Sequence, residues 1–211
     1  MTRVFLGVTG GSGAIYAGRA LRALTAAGCD VGLCVSDAGA HVISHEILRA
    51  GTRPPDDPAL AVEGFVERFA QEAGSVTVLG LNDLTAPFAS GSSLAPAALI
   101  APCSGATLAA IAHGTGRNLI HRCADVMLKE RRRLVLMPRE TPLSLIHIEN
   151  MAAVTRAGAV VLPAMPGFYS EPRTIDDLVD FVVGKALDQL GVEHRLLARW
   201  GEGAPAAEGA R

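Results

Sequence analysis

Aromatic residues make up only 4% of this 211-residue chain and charged residues 19%, with a formal net charge of −2. With no basic excess, the chain lacks the electrostatic footprint of a nucleic-acid binder. No apolar run approaches the roughly 20 residues that a membrane-spanning helix requires. The apolar run near the N-terminus is too short for a secretory signal, and a glycine-rich turn follows it at once, so the expected compartment is the cytoplasm. Cysteine is scarce. Cys29, Cys34, Cys103 and Cys123 form neither a CxxC pair nor a zinc spacing and read as reduced, mostly buried thiols. His41 and His45 stand i, i+4, but no third ligand has suitable spacing, and no metal site is expected. A Ser-His-Asp hydrolase is poorly supported because no GxSxG elbow occurs.

Hydrophobic residues reach 49%, with 23 glycines. That composition fits a globular chain with an extended buried sheet, a large subunit interface, or both. Residues 1–200 read as one domain, and the Gly/Ala/Glu-rich tail over 201–211 as mobile. Short unbroken apolar runs alternate with amphipathic ones. Strands are expected at Val4–Val8, Val31–Val35, Ser75–Val78, Ala97–Ala101, Leu134–Met137 and Ala159–Leu162. Helices are expected at Ala14–Ala27, Ala38–Ala50, Val62–Glu72, 106–113, 118–130, from Thr141-Pro142 to about Ala157, and Thr174–Leu190. Thr141 is taken as an N-cap with Pro142 at the first helical position. The proline-rich stretch 52–61 reads as a loop. Continuous apolar strands separated by helices predict a three-layer open parallel sheet covered on both faces, Rossmann- or flavodoxin-like.

In such a sheet, ligands bind beyond the carboxyl ends of the strands. Small, hydroxyl and charged residues follow five of the predicted strands there. They are Thr9-Gly10-Gly11-Ser12-Gly13-Ala14, Ser36-Asp37, Pro102-Cys103-Ser104-Gly105-Ala106-Thr107, Pro138-Arg139-Glu140-Thr141-Pro142, and Pro163 to Tyr169. The first turn has phosphate-loop logic, because glycines allow close backbone approach and a helix N-terminus suits an anion. It is neither the GxGxxG dinucleotide fingerprint nor a P-loop. A second hydroxyl-rich turn at 104–107 strengthens the case for an anion site and suits a mononucleotide such as FMN better than NAD. Arg122 and Lys129 are seven residues apart on one helix face, with Asp125 between them and within reach of both. Arg131–Arg133 read as a solvated, ion-paired face.

Taken together, TGGSGAIY at 9–16, NDLTAPFASGSS at 82–93, APCSGATLAAIAHG at 101–114, the block from Asn118 to Met151, PAMPGFYSEP at 163–172 and DLVDFVVGKALDQLG at 177–191 resemble the UbiX-type flavin prenyltransferases. The match covers roughly residues 3–200. The resemblance implies that FMN is bound, in reduced form, as a substrate. A dimethylallyl group then passes from dimethylallyl monophosphate, or the diphosphate in some members, to flavin N5 and C6, and the prenylated product serves UbiD-type decarboxylases. It implies FMN contacts from Gly10, Gly11, Ser12, Ser36, Ser104, Gly105, Ala106, Thr107 and Arg139. It implies prenyl-phosphate contacts from Arg122, Lys129, Tyr169 and Lys185, with Glu140 beside Lys129 keeping a proton available for the phosphate. Glu46, with Ser12 nearby, matches the catalytic carboxylate that removes the flavin C6 proton. It also implies a homo-oligomer, a dodecamer by resemblance.

The chemistry agrees with that set. Asp56-Asp57 lacks the second half of a DDxxD motif, so Arg122, Lys129, Arg139 and Lys185 are expected to stand in for the metal at the leaving phosphate. Lys185 replaces the Arg that the family often has and lacks its bidentate fork. Leu84 replaces an aromatic residue of some relatives. Two alternatives share the fold. An FMN-dependent cysteine decarboxylase of the phosphopantothenoylcysteine type carries a PASANT-like turn, and the turn here has no Asn at its fifth position. A non-catalytic flavin carrier has no need of Glu46, Glu140, Lys129 and Tyr169.

Overall fold

The computed structural model describes residues 2–48, 57–92 and 95–197. Six strands form one all-parallel sheet: β1 (Arg3–Val8), β2 (Asp30–Val35), β3 (Ser75–Leu79), β4 (Ala97–Cys103), β5 (Arg133–Pro138) and β6 (Val160–Val161). Their order is β3-β2-β1-β4-β5-β6. The chain therefore reverses its winding direction between β1 and β4, which makes that gap the topological switch point where a ligand crevice opens.

The unbroken apolar runs of the central strands follow from double-sided burial. Val4, Leu6 and Val8 of β1, Leu99 and Ala101 of β4 and Val135 and Met137 of β5 face one core, under α1 (Ala14–Ala26), α2 (Asp37–Glu46), α3 (Pro58–Phe69) and α7 (Ile175–Leu190). The alternate residues Phe5, Ala98, Ile100, Leu134 and Leu136 face a second core. That core lies under α4 (Gly105–His113), α5 (Leu119–Lys129) and α6 (Leu145–Ala157), together with a short 3-10 turn at Pro87–Ala89. Alternation with period two places each set on its own face.

α1 and α7 lie side by side on the first face and are clamped by charge. Arg19 bridges Asp180 through two of its nitrogens and reaches Asp176 at 3.3 Å. The Arg19 and Asp180 side chains are only 18% and 16% exposed, so this pair is shielded better than an ordinary surface bridge.

Several boundaries differ from those the sequence suggests. α3 starts at Pro58, not Val62, because Asp57 accepts the Ala59 N–H and Pro58 occupies the first turn, where a missing N–H costs nothing. It stops at Phe69. α6 starts at Leu145, and its cap is Ser144 rather than Thr141. The Ser144 hydroxyl accepts the His147 N–H while His147 Nδ1 accepts the Ser144 N–H, a reciprocal capping box that Thr141-Pro142 does not form. α2 ends at Glu46, and β6 is only Val160–Val161. Arg131 and Arg133 are exposed, and Arg132 and Arg133 also tie loops to the start of β5: Arg132 donates to the carbonyls of Gly91 and Ala95 and Arg133 to that of Leu190. Residues 49–56 and the expected tail over 201–211 lie outside the described residues. No helix among those described is long and apolar enough to cross a membrane.

All four cysteines are unpaired and buried. Burial pushes the Cys34 and Cys103 thiols up to about 12 and raises those of Cys123 and Cys29. Folded and unfolded chains are both protonated at these sites below about pH 8.5; above it only the unfolded chain sheds the protons. The contribution to stability is therefore complete below that pH and declines as pH rises toward about 12. Denaturation midpoints across pH 8 to 11 should fall, roughly, as this linkage requires. Dithionitrobenzoate should titrate none of the four thiols at about pH 8 before unfolding. Rapid reaction of the native protein would show that the cysteine sites open.

Candidate active site

The loops leaving β1 and β4 are stapled together by one buried threonine. Thr9, 2% exposed, donates its hydroxyl proton to the Pro102 carbonyl at 2.8 Å and accepts the Ser104 N–H at 2.8 Å. Its own N–H also reaches the Pro102 carbonyl at 3.2 Å. These bonds hold the glycine-rich turn of residues 10–13 against the Ser104–Thr107 turn, across the switch point. A Cβ at Gly10 would stand 2.7 Å from Ala38 Cβ, and one at Gly11 would stand 3.2 Å from Pro102 Cβ. Side chains there would press on the neighbouring loops and force them apart.

Each neighbouring loop presents a helix start. Ser36 caps α2 by accepting the Gly39 N–H, and its N–H donates to the Val8 carbonyl, so the end of β1 fixes it. Ser104 caps α4, with its hydroxyl accepting the Thr107 N–H and donating to Thr107 Oγ1 at 3.1 Å. The first N–H groups of α4 lack intrahelical partners and give this end a partial positive charge. His147 Nε2 lies beside the same turn, where a Cβ at Gly105 would stand 3.0 Å from it. Because His147 Nδ1 accepts the Ser144 N–H, Nε2 carries the proton of the neutral ring.

Glu46 reaches this crevice from the far end of α2. One carboxylate oxygen, Oε2, accepts the N–H groups of both Gly13 and Ala14 at 2.8 Å. Gly13 precedes α1 with φ 107, a conformation that favours glycine, and no side chain of its own turn caps the helix. Glu46 takes that capping position from across the crevice, and two donors fix the orientation of its carboxylate. Arg139, just past β5, donates from Nε to the Ser12 carbonyl at 3.2 Å. Ser12, Glu46 and Arg139 thus converge on the turn that opens α1.

The remaining candidates fall into two further groups. Tyr169 and Lys185 meet at the ring of Phe181. Tyr169 packs edge-on against it with centroids 5.4 Å apart, and Lys185 Nζ lies 5.9 Å from its centroid. Arg122 and Lys129 lie on α5. Arg122 donates to the Ala89 carbonyl and pairs with Asp125 at 2.6 Å. Asp125 does not span both cations, because Lys129 pairs with Glu130 and holds that carboxyl below its usual range. Lys129 precedes β5 and Glu140 follows it, so the length of that strand, about 20 Å, separates their backbones. The expected neighbourhood of Lys129 and Glu140 therefore does not form within one chain. The Glu140 carboxylate accepts only the adjacent Thr141 N–H among the contacts described, and its carbonyl accepts the Thr141 hydroxyl.

The donor set at the switch point fits a flavin mononucleotide. Hydroxyls of Ser36, Ser104 and Thr107, the α4 N-terminus and the Arg139 guanidinium suit a phosphate dianion. Glycine at 10 and 11 lets the turn pack closely against Ala38 and Pro102, which brings its backbone to the mouth of the switch point. Among the described residues, no three His, Cys, Asp or Glu side chains are grouped to hold a metal ion, and His41 and His45 instead pack ring against ring at 4.7 Å. The sequence assigns no role to Phe181 or His147 and marks Thr9 only as the first residue of the glycine-rich turn. A threonine directly after a buried strand is a faint signal of the staple, and the Ser-x-x-His spacing at the start of α6 of the His147 contact.

Comparison with known proteins matches this geometry to a family. The Flavoprotein family profile matches residues 1–187. A flavin prenyltransferase UbiX of Halalkalibacterium halodurans is 50% identical over 197 residues, 93% of this chain and 92% of its own length. A crystal structure of AnUbiX in complex with FMN and dimethylallyl pyrophosphate superposes with a TM-score of 0.81 at 40% identity, covering 95% of this chain and 97% of that one. A dodecameric FMN-dependent UbiX-like decarboxylase from Escherichia coli O157:H7 gives a TM-score of 0.78 at 36% identity, with 92% and 97% covered.

Replacing Thr9 by Val keeps the shape but strands the Ser104 N–H. It should cost about 1–3 kcal/mol of stability and weaken FMN binding several-fold. Denaturation and flavin fluorescence titration check both. Lowered stability with unchanged FMN affinity would confine Thr9 to folding.

Proposed function

The chain belongs to the Flavoprotein family and, within it, to the UbiX flavin prenyltransferases, and from that premise we propose that it transfers a dimethylallyl group from dimethylallyl monophosphate to N5 and C6 of reduced FMN. The observation that supports this best is the Glu46 carboxylate, held by the Gly13 and Ala14 N–H groups beside Ser12 and Arg139 at the switch point. A base held at a fixed position at the switch point is what the proton-removal step needs. The reduced flavin supplies the nucleophilic nitrogen and carbon.

The residues divide the work as follows. Gly10, Gly11, Ser12, Ser36, Ser104, Gly105, Ala106, Thr107 and Arg139 bind FMN. The C–O bond of the donor breaks with its electron pair leaving on phosphate. Lys185 and Tyr169, with Arg122 and Lys129, stabilise the charge that develops there. N5 bonds to the carbon that the phosphate leaves; protonation of the prenyl double bond, with Glu140 and the departing phosphate as the proton source, then lets C6 bond to the far carbon, and Glu46, assisted by Ser12, takes up the proton displaced from C6. Prenylated FMN then passes to a UbiD-type decarboxylase. The carrier alternative has no use for a carboxylate pinned at the crevice. The cysteine decarboxylase alternative lacks the Asn of its turn.

We also propose a homo-oligomer, with Arg122 and Lys129 completing the site of a neighbouring copy. α6 supports this. It buries Asn150, bonded to His113 at 3.0 Å, while Leu145 and Ile146 stand 68% and 67% exposed. Met165 and Phe168, in the loop after β6, are exposed apolar side chains as well. Apolar area of this kind marks a protein contact. Residues 1–200 constitute one flavoprotein domain, and the four unpaired thiols fit the reducing cytoplasm.

Anaerobic incubation with reduced FMN and dimethylallyl monophosphate, followed by mass spectrometry, should give a donor-dependent flavin heavier by one C5 unit. Unmodified flavin with both the monophosphate and the diphosphate, despite tight FMN binding, would favour the carrier. Glu46→Gln should bind FMN yet lose about 10²- to 10⁴-fold in prenylation rate; undiminished turnover would remove Glu46 from the chemistry. Light scattering at micromolar concentration should show an assembly, and a monomer would refute completion of the site by a second copy.

A further inference from the structure

Phe181 belongs to none of the residue sets above, yet it touches two of the proposed phosphate ligands at once. Its ring meets Tyr169 edge-on at an interplanar angle of 85° and lies under Lys185 Nζ. It sits one turn before Lys185 on α7, so both side chains share a face of that helix. Gly167 closes the group. A Cβ there would stand 2.8 Å from Phe181 Cζ and 3.0 Å from Tyr169 Cε1. Tyr169 itself is 74% exposed and Lys185 is exposed, so little else confines either side chain.

We infer that Phe181 is a positioning residue for donor binding, an aromatic platform that holds the Tyr169 hydroxyl and the Lys185 ammonium toward one phosphate. The physical basis is direct. An edge-to-face pair fixes the plane of the tyrosine ring, and the negative face of the phenylalanine ring attracts the ammonium. A lysine has a flexible four-carbon stem and no planar fork, so a site that uses it gains from confining that stem. The platform is in turn registered to the flavin crevice. Asp180, the residue before Phe181, is clamped to Arg19 of α1, the helix whose first turn holds Glu46.

This inference rests on the assignment of Tyr169 and Lys185 to the donor phosphate, and the experiment separates the two. Binding of dimethylallyl monophosphate to the FMN-loaded protein is measured by calorimetry, alongside FMN affinity and thermal unfolding. The variants are Phe181→Leu, Phe181→Met, Lys185→Met and the Phe181→Leu/Lys185→Met double. Phe181→Leu should weaken donor binding about three- to tenfold and leave FMN affinity unchanged. Its effect should shrink in the Lys185→Met background, because the platform then has less to position. Phe181→Met fills similar volume without a ring; if Phe181→Leu folds poorly, Phe181→Met takes its place and should show the same loss of donor binding, roughly three- to tenfold, at unchanged FMN affinity. In steady state the loss should fall on the KM for donor more than on kcat. Equal losses for FMN and donor, or a Phe181→Leu effect that is the same with and without Lys185, would overturn the inference. A wild-type protein that binds no donor at all would overturn the functional assignment, and the inference with it.

Discussion

The contact on which this site depends is the Thr9 hydroxyl, shared between the Pro102 carbonyl and the Ser104 N–H. A doubly wound sheet opens a crevice wherever its winding reverses, because the loops from the two central strands depart to opposite faces. The same divergence works against a precise site. Two loops leaving in opposite directions have no reason to stay in register unless something ties them. Here one buried side chain does so, satisfying a donor and an acceptor that would otherwise be exposed in the cleft. Everything that converges on the flavin crevice is anchored to one loop or the other. Ser36 is tied to the end of β1, Glu46 to the Gly13 and Ala14 N–H groups, and Arg139 to the Ser12 carbonyl.

A second constraint comes from charge. Loss of a phosphate leaving group without a metal needs several cations at one place, and cations repel. One chain keeps them apart. Arg122 is neutralised by Asp125, Lys129 by Glu130, and Arg139 lies beyond the other end of β5. Storing positive charge on separate, individually paired surfaces keeps each chain free of mutual repulsion. In the proposed assembly, bringing those surfaces together at an interface would concentrate the charge only where the substrate phosphate offsets it. The exposed apolar face of α6 is consistent with such an assembly, because a helix that buries Asn150 and exposes Leu145 and Ile146 is patterned for cover on its outer side.

The sheet and most of its helices are legible in the sequence because double-sided burial leaves an unmistakable trace of short, continuous apolar runs bounded by small residues. β1, β2, β4 and β5 fall within a residue or two of their expected ends. The errors cluster where local chemistry offers rival solutions. Thr141-Pro142 and Ser144 both look like caps, and only the reciprocal bond with His147 decides between them. Asp57-Pro58 was hidden in a proline-rich stretch that suits a loop equally well. For the site, loop residues were legible because they directly follow strands. Which of them meet was not. Glu140 and Lys129 are eleven apart in sequence, yet a buried strand runs between them. The roles of Phe181 and Thr9 were hidden for another reason: an aromatic on an amphipathic helix and a threonine just past a strand look ordinary until their partners are known.

Lys185 shows how such partners change the meaning of a substitution. An arginine at that position would bring its own rigid plane, pre-shaped to grip two phosphate oxygens. A lysine brings a point charge on a chain with four rotatable bonds, and ordering that chain costs about 2 kcal/mol of rotamer entropy. On sequence grounds the exchange reads as a loss. In the structure the ammonium already lies near the Phe181 ring, and part of the ordering is complete before any phosphate arrives. The attraction of a ring face for a cation is weaker than a salt bridge to phosphate, so it restrains the lysine without competing for it. An acidic partner would hold the side chain as firmly but would have to be displaced at every turnover. An aromatic one orients the charge and leaves it uncompensated, and that is the condition under which a single lysine can serve a departing phosphate.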